Sequence, residues 1–139
     1  MILGFTGTRK GWTTAQARAV RGCLASLPAG AIHGGAEGAD EEFDTYLIEA
    51  GMSPDDILIL PGTTARAAYW DALCRKVNSA SLPLQRNRVI VADCDHLLAT
   101  PATQDEILRS GTWATVRYAR TAGKPITLVF PDGTGKEEL

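Results

Sequence analysis

The feature that most constrains this chain is a repeating pattern in which short, continuously apolar runs are each followed by a glycine-bearing turn and then by a stretch of helical periodicity. The runs are Ile2–Phe5, Ala31–His33, Ile57–Leu60, His96–Ala99 and Ile126–Phe130. Several have no wet face, as expected of strands covered on both sides, and alternation with helical segments is the signature of a parallel sheet. The pattern predicts an α/β, Rossmann-like fold: a mostly parallel sheet of about five strands with helices on both faces. A chain of 139 residues, 45% of them hydrophobic, can bury one core and leaves no room for a second domain. The domain is expected over 1–131. The segment 132–139, rich in glycine and charge, reads as a flexible tail.

The intervening segments carry helix signals. Thr13–Leu27 places Val20, Cys23, Leu24 and Leu27 on one stripe, Thr13 and Gln16 form a capping box, and Pro28 and Gly30 end it. Asp40–Ala50 has acidic residues in its first turn and Gly51 beyond its end. Ala65–Val77 carries Tyr69 and Trp70 and runs into a polar break, Asn78-Ser79-Ala80-Ser81; it reads as a packed surface helix or, alternatively, a lid. Pro83 opens Leu84–Ala92, where Arg86 and Asn87 share a face with Ile90 and so look inward. In Gly111–Ala122, Ser110 is the expected cap and Gly123 with Pro125 the stop.

In open α/β sheets the ligand crevice lies beyond the carboxyl ends of the strands, and four segments should meet there. The opening turn, with Gly7, Thr8, Arg9 and Lys10, offers close backbone approach and positive charge to an anion. The second turn holds Gly34, Gly35 and Gly38, but Asp40, Glu41 and Glu42 behind it repel phosphate, so a sugar, base or backbone contact is assigned to it. There Asp40 reads as a structural cap and His33 as a satisfied core histidine. Arg86 and Asn87 form the third segment. The fourth, Arg109-Ser110-Gly111-Thr112, puts hydroxyls on both sides of a glycine at a helix amino terminus, a geometry suited to phosphate. Trp12, Tyr69 and Trp70 could stack a base, or belong to the core.

Composition removes some classes. A net charge of −2 gives no global field to draw in a long polyanion, and aromatics at 6% are too few for a single-strand stacking platform, so long nucleic acid is not expected as a partner. Cys23, Cys74 and Cys94 are odd in number, widely spaced and without a CxxC motif, which argues against a disulfide framework and against a metal site. A reducing, cytoplasmic setting fits. Residues 1–7 turn polar too soon for a signal peptide or spanning helix, so no membrane role is expected. No cofactor is indicated.

Gly7-Thr8-Arg9, Gly34-Gly35-Ala36-Glu37-Gly38-Ala39-Asp40, Arg86-Asn87-Arg88-Val89-Ile90 and Arg109-Ser110-Gly111-Thr112, with Ala119, Gly123 and Pro125 beyond, occur in one order and spacing. Together they resemble the SLOG superfamily, the Rossmann-like group that includes the LONELY GUY phosphoribohydrolases and the DNA-processing protein A family; the later half is closest to the DNA-processing branch and to short stand-alone members. The resemblance implies a pocket for a nucleotide or nucleotide derivative, often completed by dimerisation, and hence a homodimer or higher homo-oligomer. LONELY GUY enzymes carry a glutamate after their Gly-Thr pair; here Thr115 stands in that place, and a hydroxyl cannot do a carboxylate's work on an N-glycosidic bond. The first expectation is therefore a non-catalytic binder, a sensor or sequestering module. The alternatives are an N-glycosidase or phosphoribohydrolase using Glu106 or Asp40 as its acid, and a single-stranded DNA-binding relative of the DNA-processing proteins.

Overall fold

The computed structural model describes residues 1–62, 64–75, 77–78 and 81–139. Six strands form one sheet: β1 (Ile2–Gly7), β2 (Gly30–His33), β3 (Ile57–Ile59), β4 (His96–Thr100), β5 (Ile126–Val129) and β6 (Gly135–Glu138). Their order is β3-β2-β1-β4-β5-β6, with every pair parallel except β5 and β6. The fold is thus the expected Rossmann-like α/β arrangement. After β1 the chain winds outward through β2 to β3, then crosses back to lay β4 on the other side of β1. The reversal falls between β1 and β4, where Leu3 sits opposite His96 and Gly7 opposite Thr100, and such a switch point opens a crevice at the carboxyl ends.

Side-chain alternation along the strands divides the interior into two cores. Leu3 and Phe5 of β1, Ile59 of β3, Leu98 of β4 and Val129 of β5 pack on one face with α1 (Thr14–Cys23) and α2 (Ala39–Glu49) through Val20, Phe43 and Leu47. Trp70 of α3 (Thr64–Ala72) joins them. On the other face, Ile32, Leu97, Ala99, Ile126 and Leu128 meet α4 (Pro83–Asp93) and α5 (Gly111–Ala122) through Ile90, Val91, Trp113 and Val116. Gly4 explains the close fit of α4: a Cβ there would come within 2.9 Å of the Cys94 side chain. Phe5 and Phe43 stack at 4.2 Å between centroids, and Trp12 meets Phe5 edge-on, which fixes the segment leaving β1.

The helix signals hold with shifted ends. The Thr13–Gln16 capping box is present and α1 stops at Cys23, short of the expected Leu27. Ser110 caps α5 by accepting from the Trp113 N–H at 3.2 Å. The helix expected over 65–77 ends at Ala72, after which Cys74 takes a positive φ of 58° and Val77 pairs in an isolated parallel bridge with Ile59. Of the polar break that follows, Ser79 and Ala80 lie outside the described residues.

Beyond the five strands expected, the segment read as a flexible tail from 132 forms a sixth. Asp132 accepts from the Thr134 N–H (2.9 Å) and hydroxyl (2.6 Å), Gly133 has φ 84°, and the Phe130 N–H donates to the Thr134 carbonyl at 2.8 Å. This Asp-Gly turn folds residues 135–138 back on β5 as an antiparallel strand. Arg120 of α5 holds the strand by pairing with Glu138 at 2.8 and 2.9 Å. Removal of residues 132–139 would uncover the β5 edge. It should lower the melting temperature by about 5 °C or more and promote self-association, measurable by circular dichroism and light scattering; a loose tail would leave both unchanged.

Candidate functional site

A cavity of about 390 Å³ opens at the carboxyl ends of β1, β2 and β4, at the switch point. Gly7, Thr8, Arg9 and Lys10 from the opening turn, and Ser110, Gly111 and Thr112 from the start of α5, line this one hollow. So do Gly34, Arg86 and Asn87. Gly35 and Gly38 do not line it. Gly35, at φ 62°, gives its carbonyl to Arg66 Nε (2.6 Å) and Trp70 Nε1 (2.8 Å). Gly38, at φ 84°, lets α2 begin against the opening turn; a Cβ there would strike the Arg9 carbonyl.

The two anion-ready turns differ in what they leave open. In the opening turn the Thr8 N–H donates to Thr100, the Lys10 N–H to Thr8 Oγ1 and the Gly11 N–H to the Thr8 carbonyl. These three amides stabilise the turn itself, which leaves the Arg9 N–H, without a hydrogen bond among the described residues, the Thr8 hydroxyl and the Arg9 and Lys10 side chains. At α5, by contrast, the first-turn N–H groups of Gly111 and Thr112 carry no hydrogen bond among the described residues, as expected at a helix amino terminus. Thr112 is only 7% exposed, and its hydroxyl too has no described partner.

Arg86 is the fixed cation of the site. Only 8% exposed, it donates from Nε to Asn87 Oδ1 (2.7 Å) and from Nη1 to the carbonyls of Gly34 (2.8 Å) and Leu60 (3.4 Å). Its Nη2 has no hydrogen bond among the described residues. Burial draws its pKa below the ordinary arginine value, with Asp40 opposing and Arg9 reinforcing the shift; a guanidinium remains charged through such a change. Arg9, Lys10 and Arg109 are exposed on the same cavity and form no ion pair among the described residues.

Asp40 is not the helix cap expected of it. Gly38 occupies the N-cap position without a side-chain bond. Asp40, in the first turn of α2, reaches back to accept from the Ala36 N–H at 3.1 Å, and it lines the cavity while only 5% exposed. Burial pushes its carboxyl above the ordinary carboxylate range, against the pull of His33, the Ala36 N–H and Arg86. Glu106, the other candidate acid, lies outside the cavity lining. It pairs with Arg120 at 2.7 Å and Arg117 at 3.1 Å, which hold its carboxyl below the usual range. An ion-paired carboxylate of that kind is a poor proton donor.

His33 is the buried core histidine expected. The Gly35 N–H donates to its Nδ1 at 2.9 Å, so Nε2 bears the proton and donates to Asp44 at 2.7 Å. Asp44 also binds both terminal nitrogens of Arg75, and these bonds, from His33 and Arg75, overcome burial to lower its pKa. Of the aromatic residues considered for stacking, Trp12 bonds Thr100 Oγ1 at 3.0 Å, Tyr69 is 42% exposed, and Trp70 is core. None lines the cavity, whose described aromatic surface is Phe5.

Thr6, a buried hydroxyl at the end of β1 that opens the first of the four segments, also lines the cavity. Sequence reasoning missed the wall formed by Ala102, Thr103 and Ile107. That wall has no periodicity to read. Arg117 fastens it by donating to the carbonyls of Ile107 and Leu108 at 3.2 Å, and Trp113 Nε1 donates to Thr103 Oγ1 at 3.0 Å. Among the described residues no group of His, Cys, Asp and Glu could hold a metal ion, and no helix is long and apolar enough to cross a membrane. Comparison with protein-family models, curated proteins and solved structures returns no match.

Two substitutions should separate strain from support. Asp40→Asn keeps an acceptor for Ala36 while removing a buried charge, and is expected to stabilise the unliganded protein by about 1 kcal/mol at pH 7. Because burial raises the folded-state pKa above that of an ordinary aspartate, the wild type loses stability as pH rises through the carboxylate range. The advantage of Asp40→Asn should therefore grow from about pH 4 to pH 7 in urea titrations. Asp44→Ala, which strands His33 and Arg75, should cost about 3–5 kcal/mol.

Proposed function

We propose that this protein binds a small, phosphorylated nucleotide or nucleotide-derived ligand at the carboxyl ends of its strands, as a sensor or sequestering module. The observation that carries the reading is the sharing of one cavity by the uncommitted N–H groups of Gly111 and Thr112, the buried Arg86 and the unpaired Arg9 and Lys10. A helix amino terminus facing a phosphate supplies donors and a favourable dipole, and a buried guanidinium supplies a charge that solvent does not screen. The phosphate is assigned to Gly111 and Thr112, with Arg86 beneath and Arg9 and Lys10 closing over it. Asn87 and the Gly34 turn face the remainder of the ligand.

Size narrows the class. About 390 Å³ lies near the lower end of ligand cavities, suited to a mononucleotide or sugar phosphate. The ordered motifs that resemble the SLOG superfamily agree with this ligand chemistry. A wall with little aromatic surface weighs against a single-stranded DNA track, which relies on successive stacking.

A second reading has one observation in its favour: Asp40 is a buried carboxyl of raised pKa in the cavity, the property of a general acid. An N-glycosidase using it would release free base from a nucleoside monophosphate, and Asp40→Asn would abolish the release. Thr115, where the LONELY GUY glutamate would stand, donates to the Gly111 carbonyl at 2.8 Å and offers no substitute acid.

Calorimetric titration with the four ribonucleoside 5′-monophosphates tests the binding reading. Saturable binding is expected, about tenfold weaker in the Arg9→Ala/Lys10→Ala double variant and several-fold weaker in Thr112→Val. Absence of binding to all four at millimolar concentration would overturn it.

A further inference from the structure

Resting on the reading of this cavity as a phosphate-ligand site, we infer that Asp40 is its specificity-determining residue, selecting ligands that carry vicinal hydroxyls beside the anionic group, as a ribose does, over their deoxy counterparts. The inference comes from matching donors to acceptors around the cavity. Arg86 Nη2, the Asn87 side-chain N–H₂, the N–H groups of Gly111 and Thr112 and the flexible Arg9 and Lys10 all donate. The turn after β2 is otherwise closed on itself. Its Gly34 carbonyl takes Arg86, its Gly35 carbonyl takes Arg66 and Trp70, and its Gly35 N–H is held by His33. What that turn still presents is the carboxylate of Asp40.

A carboxylate has about four acceptor positions, and the Ala36 N–H engages Asp40 from the protein side. The open positions must be met by a donor on the ligand. A second phosphate there would face a like charge in a poorly screened site, and an ammonium would face Arg86, Arg9, Lys10 and Arg109. A neutral pair of hydroxyls satisfies both limits. Arg86 and Asp40 line the same cavity, so the ligand atoms that reach the carboxylate are those close to the anionic group, which belong to the sugar and not to a base. The apolar Ile90 and Phe5 surfaces nearby limit water that could replace a missing hydroxyl.

The test compares each ribonucleoside 5′-monophosphate with its 2′-deoxy counterpart, and ribose 5-phosphate with 2-deoxyribose 5-phosphate, on the full chain by calorimetry. The wild type should bind the ribo forms about tenfold or more tightly, because each deoxy form leaves a buried acceptor unmet. In Asp40→Asn the preference should fall to within about threefold. Equal binding of ribo and deoxy forms by the wild type would overturn the role of Asp40 while leaving phosphate binding intact. That comparison needs no variant, so it decides the matter even if Asp40→Asn does not fold. A preference that survives in folded Asp40→Asn, or one that follows guanine regardless of the sugar, would likewise overturn it. If none of these probes and neither inorganic phosphate nor pyrophosphate binds, the site reading fails and this inference with it.

Discussion

The guanidinium of Arg86 joins three elements at the floor of the cavity. By donating to the carbonyls of Gly34 and Leu60 it ties α4, on one face of the sheet, to the ends of β2 and β3. The bond to Asn87 holds its own plane. Removing a cation from water is costly unless its donors are met, so the strand ends have to supply carbonyls at fixed positions, and the cavity floor is rigid for that reason. The site is organised by a charge whose burial the fold must offset.

Behind that floor lies a second polar system with the opposite balance. His33, Asp44 and Arg75 satisfy one another, and Trp70 packs edge-on against His33 with centroids 5.5 Å apart while donating to the Gly35 carbonyl. These groups gain from being together. The turn over 33–36 is therefore held from both sides: the histidine system behind it and Arg86 in front. Asp40 stands between them, a buried carboxyl whose desolvation outweighs the groups that favour its charge.

Much of this was legible in the sequence, and the boundary of legibility has a physical cause. The strands, the capping box at Thr13, the Ser110 cap and the inward face of Arg86 and Asn87 follow from local periodicity and local hydrogen bonds, which a sequence records directly. That the Thr8 N–H is committed could not be read locally, because its acceptor, Thr100, lies on another strand. Asp40 was misread as a helix cap because nothing local says that Gly38 begins the helix. The sixth strand was missed despite an Asp132-Gly133 hairpin signal, since glycine and charge outweighed the turn. Glu106 looked available until Arg117 and Arg120, a turn and more away along α5, claimed it.

β6 gives the sheet a closed margin. Lys136, Glu137 and Glu138 follow one another along it, so charge projects from both sides of the outermost ribbon, and a further strand laid against it would have to desolvate that charge. At the opposite margin β3 is three residues long and already meets Val77. Growth of the sheet by edge addition is discouraged at both limits, which directs any contact between copies of this chain toward its helical layers and away from its strands.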